Sequence, residues 1–320
     1  MKKSLIVCFI VAGSLILAGG MLFAGVMTAL DWDFKNLSTN VYETTEHTVT
    51  DEFSDISITC NVETITFLPS DDEKVKVICH EDQQIKHLVS VENGALTIKR
   101  VDTRHWYDYI GIGFGTPTIT VYLPEGEYGD LNIKSTTGDV YLISEHSYNT
   151  INIEATTADV SCASSAKGDV KIGLDTGDIT IDSISAKLLN LEVTTGDISV
   201  TKAYLDGDVS IKVSTGRSVL EDITCKDFYS DGSTGDLTMH GVIATGKFDI
   251  ERGTGDVTLE RCDAAEIFVV TDTGDVSASL LTDKVFITET DTGNVKIPNS
   301  VVGGRCEITT DTGDIEITVG

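Results

Sequence analysis

Carboxylate groups at a fixed spacing are the most conspicuous chemical feature of this chain of 320 residues. Eight aspartates each follow a Thr-Gly or Thr-Ala pair, and seven of them form the candidate row: Asp139, Asp159, Asp178, Asp197, Asp236, Asp256 and Asp275. A carboxylate at a chain corner can accept hydrogen bonds from backbone N–H groups and close the turn. Stacked at the strand spacing of about 4.8 Å, the same groups could instead hold Ca²⁺, which prefers oxygen ligands. Two roles stay open, a structural corner and a weak calcium row, and no other cofactor is predicted.

The row of aspartates has two interruptions. Arg217 and Asn294 stand where aspartate is expected, and Asp314 follows Asn294 in the sequence. Like charges about 4.8 Å apart repel by about 1 kcal/mol in water. The sequence order predicts runs of four, three and one aspartates, which limits this repulsion.

A second candidate site is aromatic. Residues 105–115 contain Trp106, Tyr107, Tyr109 and Phe114 together with three glycines. The aromatic side chains could cover the end of a hydrophobic core. In a loop, they could also contact sugar rings, a protein partner or a membrane surface. Both interpretations remain open.

Enzymatic motifs are weak or incomplete. Residues 241–247 match the first seven positions of a phosphate-binding loop, but Phe248 replaces the required Ser or Thr. The carboxylates repeat along the chain, whereas catalysis needs a unique cluster of acid, base and charge stabiliser. We therefore predict no enzyme and keep a polysaccharide-active enzyme only as a remote alternative.

Cysteines give no metal signature. The seven Cys form no C-x-x-C pair, and no His lies at ligand spacing from any of them, so no zinc site is predicted. Six of them lie in strand-like segments beyond residue 30: Cys60, Cys79, Cys162, Cys225, Cys262 and Cys306. We expect these to be small buried residues.

The aspartates belong to a repeat of 19 or 20 residues. Its corners are Thr137-Gly138, Thr176-Gly177, Thr195-Gly196, Thr234-Gly235, Thr254-Gly255, Thr273-Gly274 and Thr312-Gly313, with variants at Thr157-Ala158, Thr215-Gly216 and Thr292-Gly293. Alternate residues on both sides of each corner are apolar or small, which is the period of β-strands. Each unit therefore predicts a strand, a tight corner and a second strand.

Units of 20 residues cannot bury a core alone, but stacked units can. The chain is thus predicted to be all-β, a right-handed single-stranded parallel β-helix, or β-solenoid, of about ten coils. An antiparallel sandwich would need hairpin turn signals and fits the constant period less well. The corner threonines share the parity of the inward positions, so we expect them to stack inside. Ala158 should form a different corner.

Four segments follow from these patterns. Residues 1–30 are predicted to be an uncleaved transmembrane anchor, because two lysines precede an uncharged apolar stretch long enough to span a bilayer. A signal peptide cleaved near Ala18-Gly19-Gly20 is the alternative. Residues 31–54 are a polar stalk. Residues 55–130 form an N-terminal β region that caps the solenoid, with strands expected at 55–59, 63–68, 74–79, 88–91, 95–101 and 118–123. Residues 131–320 are the solenoid.

Charge restricts the partners. The net charge is −28, so nucleic acid is excluded as a partner. Lysines before the apolar stretch and aspartates after it predict a single-pass protein of the cell membrane, N-terminus inside and repeats outside.

The anchor, the irregular β region and the repeated pattern seen in Thr271-Asp272-Thr273-Gly274-Asp275-Val276 together resemble the bacterial DUF4097 family. The resemblance covers about residues 50–320. This family, also described as adhesin-like or toast-rack β-strand repeats, implies a right-handed β-helix at the bacterial cell envelope. It supplies no catalytic residues.

Two functions are expected on this basis. The first is a non-catalytic adhesin or ligand-binding ectodomain that recognises a cell-wall, glycan or protein ligand. The second is an envelope-stress sensor or regulator acting through a membrane partner. Because residue 320 follows directly on the last strand, the C-terminal edge is expected to be uncovered. We expect a homo-oligomer or a partner to bury it.

Overall fold

The computed structural model describes residues 2–33, 40–106 and 115–320. Its one helix within these ranges is α1, Lys2–Ala29. Residues Ile6–Ala29 are long and apolar enough to cross a membrane, by length and composition. The rest of the described chain is nearly all β.

Seven strands precede the solenoid: β1 Tyr42–Val49, β2 Asp55–Thr59, β3 Thr64–Pro69, β4 Val75–Asp82, β5 Ile85–Glu92, β6 Ala95–Asp102 and β7 Thr118–Leu123. All six strands expected in this region are present, with ends shifted by a few residues. β1 lies inside the segment predicted as a stalk and pairs antiparallel with β4 over its whole length. The stalk is therefore shorter than 31–54, because residues 42–49 belong to the β region.

The solenoid follows as β8 Gly126–Thr137, β9 Val140–Leu142, β10 His146–Thr157, β11 Val160–Cys162, β12 Ser165–Ala166, β13 Asp169–Thr176, β14 Ile179–Ala186, β15 Leu188–Thr195, β16 Ile198–Leu205, β17 Val209–Thr215, β18 Ser218–Cys225, β19 Phe228–Thr234, β20 Leu237–His240, β21 Ile243–Ala244, β22 Lys247–Thr254, β23 Val257–Cys262, β24 Glu266–Thr273, β25 Val276–Leu280, β26 Lys284–Thr292, β27 Val295–Lys296, β28 Gly304–Thr312 and β29 Ile315–Val319.

Two parallel ladders run along this rod. One ladder contains the strands before each corner and the other contains the strands after it. In the first, Ile151 of β10 pairs with Val170 of β13, one repeat further on. In the second, Val160 of β11 pairs with Ile179 of β14. The β-solenoid of about ten turns is thus confirmed, and its core consists of the inward apolar rows between the ladders.

Glycine is required at the corners for two reasons. The corner glycines have φ between 121° and 159°, which side chains rarely adopt. In addition, a Cβ on Gly196 would overlap the carbonyl oxygen of Gly177 in the preceding coil. Ala158 does not share the positive φ, so its corner has a different backbone, as expected.

The corner threonines do not stack inside. Thr176, Thr195 and their equivalents are exposed in every coil. The inward row lies two residues earlier and includes Leu174, Val193 and Val213. The chain turns outward at the corner, so the alternation of the strand ends before the threonine and the expected inward ladder is wrong.

The last two coils are exchanged in space relative to their order in the sequence. β28 pairs with β24 on one side and with β26 on the other. Likewise β29 lies between β25 and β27. The edge expected at the C-terminus is therefore covered, and the uncovered edge belongs to residues 284–303. Exposed apolar side chains lie there, among them Val285, Ile287 and Val295.

All six cysteines beyond residue 30 are buried and free, so the prediction that they act as small core residues is confirmed.

Candidate functional site

A cluster of buried ionisable side chains lies where the N-terminal β region joins the solenoid. β2 and β3 pair beneath β8 and β9 with a constant offset of 75 residues, from Thr59↔Lys134 to Ile65↔Val140. By this offset, Glu63 occupies the place that Gly138 takes in the first regular corner (63 + 75 = 138). The cluster therefore begins at the start of the corner row.

Strand alternation and a hairpin bring the members together. Cys79 and Glu81 are two residues apart on β4 and face the same side. The chain turns back between Asp82 and Ile85, and His87 follows on β5. Glu63, Cys79, Glu81 and His87 are all buried, with exposures of 4 % or less.

The imidazole of His87 lies between two carboxylates. Its Nδ1 is 2.8 Å from Oε2 of Glu81, and its Nε2 is 3.2 Å from Oε1 of Glu63. The second contact has ion-pair distance but not hydrogen-bond geometry. The backbone N–H of His87 also donates to Oε2 of Glu81 at 2.7 Å.

Backbone and hydroxyl donors hold both carboxylates. The N–H groups of Asn61 and Val62 donate to Oε2 of Glu63 at 2.7 and 2.8 Å. The hydroxyl of Thr45 on β1 donates to Oε1 of Glu81 at 2.8 Å. The two side chains are therefore fixed before any ligand arrives.

Electrostatics favour the charged forms of Glu63 and His87. Burial would raise the pKa of Glu63, but His87 and the two backbone N–H groups lower it to about 2. Burial would lower the pKa of His87, but the carboxylates of Glu63 and Glu81 outweigh burial and raise it. Burial, with the same two carboxylates, raises the pKa of the Cys79 thiol to about 12.

A cleft of about 250 Å³ opens beside this cluster. Its lining includes Tyr42, Arg100 and Arg104 as well as Glu63 and His87. Nε of Arg100 lies 3.9 Å from Glu63, and Asp102 bridges the two arginines at 3.1 and 2.6 Å. The cleft therefore presents two guanidinium groups beside three buried carboxylates, Glu63, Glu81 and Asp82.

The aromatic segment ends next to this cleft. A Cβ on Gly115 would overlap the ring of Tyr42, so residue 115 lies against the cleft wall. Trp106 is 77 % exposed. Tyr107, Tyr109 and Phe114 fall outside the described residues.

The aspartate row forms a hydrogen-bonded ladder. Oδ1 of each aspartate accepts the backbone N–H of the next corner at 2.7 to 3.0 Å: Asp139 from Asp159, Asp159 from Asp178, Asp178 from Asp197, Asp197 from Arg217, Asp236 from Asp256, Asp256 from Asp275, Asp275 from Asp314, and Asp314 from Asn294. The exchange of the last coils puts Asp314 beside Asp275. The runs are therefore four and four, not four, three and one.

Sequence reasoning missed two features. The first is the buried cluster. The spacing of Cys79 and Glu81 indicates that both side chains lie on one face of a strand, but His87 reaches them only because the hairpin folds back. The other missed residue is Arg252, which is 2 % exposed in the inward row of β22. It lies two residues after the buried Ile250 on the same strand, so its side chain also faces the core. The loop-like segment 241–247 leads into strand β22 and not into a helix.

Comparison with known proteins gives a family and distant structural relatives. No curated protein matches the chain. One similar structure, from Parabacteroides distasonis, is provisionally named a lipid-binding protein; it is 15 % identical, with TM-score 0.48, covering 88 % of this chain and 98 % of that one. Another structure, from Bacteroides fragilis, is provisionally named an adhesin. It is 15 % identical, with a TM-score of 0.41, and the match covers 87 % of this chain and 97 % of that one.

The sequence profile of the family described as Toastrack DUF4097 matches residues 53–211 and 198–320. These two matches together span both the N-terminal β region and the whole solenoid. The chain belongs to the Toastrack DUF4097 family.

Proposed function

We propose that this chain is a membrane-anchored binding protein that recognises its ligand in the cleft of the N-terminal β region. The cleft carries this proposal, because it is where the repetitive surface is interrupted by a concave, polar site. Ligand sites are usually concave, with a few convergent polar groups. The rod beyond it repeats one pattern of corners and offers little to distinguish one coil from the next.

The chemistry of the cleft favours an acidic glycan of the cell envelope. Arg100 and Arg104 provide planar donors that match carboxylate and phosphate groups. Tyr42 lines the same cleft, and its ring can pack against an apolar sugar face. The net charge of −28 repels an anionic ligand overall, and these two cations offset that repulsion locally.

The anchor places the cleft at the membrane. Helix α1 has the length and composition of a membrane span, and we propose that it is retained after export. Lys2 and Lys3 then lie inside, and the β-solenoid lies outside. A protein arranged in this way can adhere or capture a ligand without an intracellular domain.

Ligand binding by the full-length chain in lipid nanodiscs tests the proposal. Purified peptidoglycan fragments and anionic wall polymers serve as probes, and Arg104→Ala is compared with Lys212→Ala on the rod. We expect the first variant to weaken binding at least tenfold, as loss of a charge-assisted contact does, and the second to bind normally. Equal binding by both variants would contradict the proposed site.

Pull-down from intact membranes distinguishes ligand binding from the alternative role of an envelope sensor. A membrane partner recovered at a one-to-one ratio, with no binding to wall material, would replace adhesion by signalling through that partner. Recovery of wall glycan without such a partner supports the binding function.

A further inference from the structure

We propose that Cys79, Glu81 and His87 form a site for a divalent transition metal ion, with Zn²⁺ as the best match and Glu63 as the supporting carboxylate. The proposal does not require ligand binding in the cleft, although Glu63, Glu81 and His87 also line that cleft. It contradicts the expectation from cysteine and histidine spacing, which predicted no zinc site.

The positions of the ligand atoms carry the proposal. Sγ of Cys79, one carboxylate oxygen of Glu81 and one ring nitrogen of His87 lie within 4.8 Å of one another. Around a tetrahedral Zn²⁺ such atoms are about 3.3 to 3.8 Å apart, given bond lengths of about 2.0 to 2.3 Å. Small side-chain rotations therefore suffice to close the site, and the strand and hairpin need not move.

The surroundings resemble those of a supported metal ligand. Whichever nitrogen of His87 binds the ion, the other faces a carboxylate, at 2.8 Å for Glu81 or 3.2 Å for Glu63. A carboxylate behind a metal-bound imidazole fixes its orientation and raises its basicity. The buried Nε2 makes no hydrogen bond of good geometry, and its contact in the described structure is the ion pair with Glu63 at 3.2 Å.

The donor set selects the metal. One thiolate, one imidazole and one carboxylate suit Zn²⁺ and other transition ions, whereas Ca²⁺ and Mg²⁺ require oxygen ligands. On binding, the thiol proton and any proton on the ligating nitrogen pass to solvent. The charges of Cys79 and Glu81 then neutralise the ion.

A nearby cation can withdraw to admit the metal. Nζ of Lys86 lies 3.5 Å from Glu81 but also pairs with the more exposed Glu43. When the metal occupies the site, Lys86 can keep its second partner. Arg100 remains beside Glu63 and compensates that carboxylate.

The test uses the full-length chain in detergent, without a histidine tag. Equilibrium dialysis should give one Zn²⁺ per chain. Co²⁺ in its place should produce the near-ultraviolet band of thiolate-to-cobalt charge transfer. Cys79→Ser should abolish this band, whereas Cys262→Ser, which alters an equally buried thiol outside the cluster, should retain it.

X-ray absorption of Zn²⁺ bound to the unaltered protein makes the test independent of the folding of any variant. One sulfur and one imidazole ligand would support the site. Failure of the unaltered protein to bind either ion, a cobalt band that survives Cys79→Ser, or a zinc shell without sulfur would each overturn it.

Discussion

Replacement of Arg252 by methionine should stabilise the solenoid. The guanidinium group lies inside the core, and no carboxylate of the described residues lies within ion-pair distance of it. Its Nη2 donates to Oγ of Ser230 at 2.7 Å, but Nε has no hydrogen-bond partner. Space for the side chain comes from Gly232 on the neighbouring strand, where a Cβ would overlap the guanidinium.

The size of the effect follows from the burial of the charge. Burial lowers the pKa of Arg252 from its usual value to about 10. Since one pKa unit corresponds to about 1.4 kcal/mol, the charged form costs about 3 kcal/mol in the folded state. Loss of the hydrogen bond to Ser230 offsets about 1 to 2 kcal/mol. The net gain in the free energy of unfolding should be about 1 to 2 kcal/mol, within the range seen when buried charges are replaced by apolar residues.

Urea unfolding followed by circular dichroism measures this gain, with Arg217→Met as the exposed control. The folded-state pKa lies below the unfolded one, so the cost is complete below pH 10 and declines as the pH rises above it. The advantage of Arg252→Met should decline over the same range. Earlier unfolding of Arg252→Met, with Arg217→Met unchanged, would refute the reasoning and indicate that the buried charge is compensated.

A double-mutant cycle adds a second readout. Gly232→Val alone should destabilise the protein, because its side chain collides with Arg252. Combined with Arg252→Val, it restores the aliphatic row of Val193 and Val213, and the pair should be more stable than the sum of the single changes. Strict additivity would show that the two positions do not interact.

Four further outcomes are expected. Gly196→Ala should lower the free energy of unfolding by about 2 kcal/mol or more, because the new Cβ would strain the backbone and overlap the carbonyl of Gly177. Gly173→Ala is the control: the space around Gly173 is open, so thermal melts should show a change of less than about 0.5 kcal/mol. Asp178→Asn should be mild and Asp178→Ala worse, and millimolar Ca²⁺ should raise the melting temperature no more than monovalent salt of equal ionic strength; a calcium-specific rise would favour the metal row. The native protein should sediment with membranes and keep residues 1–30, whereas a mature N-terminus near Gly20 by mass spectrometry would show cleavage. The open edge at 284–303 should self-associate in analytical ultracentrifugation and Ile287→Lys should abolish this, unless the unaltered chain is already a concentration-independent monomer.

The repeat was predictable because a single physical constraint recurs in every coil. Glycine fits next to the carbonyl of the preceding corner in every coil except that of Ala158, and alternating residues, most of them apolar, fill the inward rows. Constant spacing between corners such as Gly177 and Gly196 therefore fixes parallel register. The N-terminal strands were also found, since their alternation is local.

The remaining features depend on contacts that no local pattern encodes. Glu63 and His87 meet because an antiparallel hairpin folds over an irregular coil. The exchange of the last two coils was hidden by repetition itself, since the corners at Gly293 and Gly313 are alike and either could stack on Gly274. Arg252 differs from these cases, because the alternation of Phe248 and Ile250 in the sequence already indicates that its charged side chain faces the core.

The exchanged coils also constrain the order in which the rod can form. A regular solenoid can grow by adding each coil to the one before it in the chain. Here β26 pairs with β28, so residues 284–303 have no finished surface to join until residues 304–320 have been placed on β24 and β25. Residues 304–320 thus complete two interfaces at once, one with β24 and β25 and the other with β26 and β27. A chain that lacks residues 304–320 would hold residues 284–303 unpaired, and truncation at residue 303 would leave both the rod and that segment without their partner.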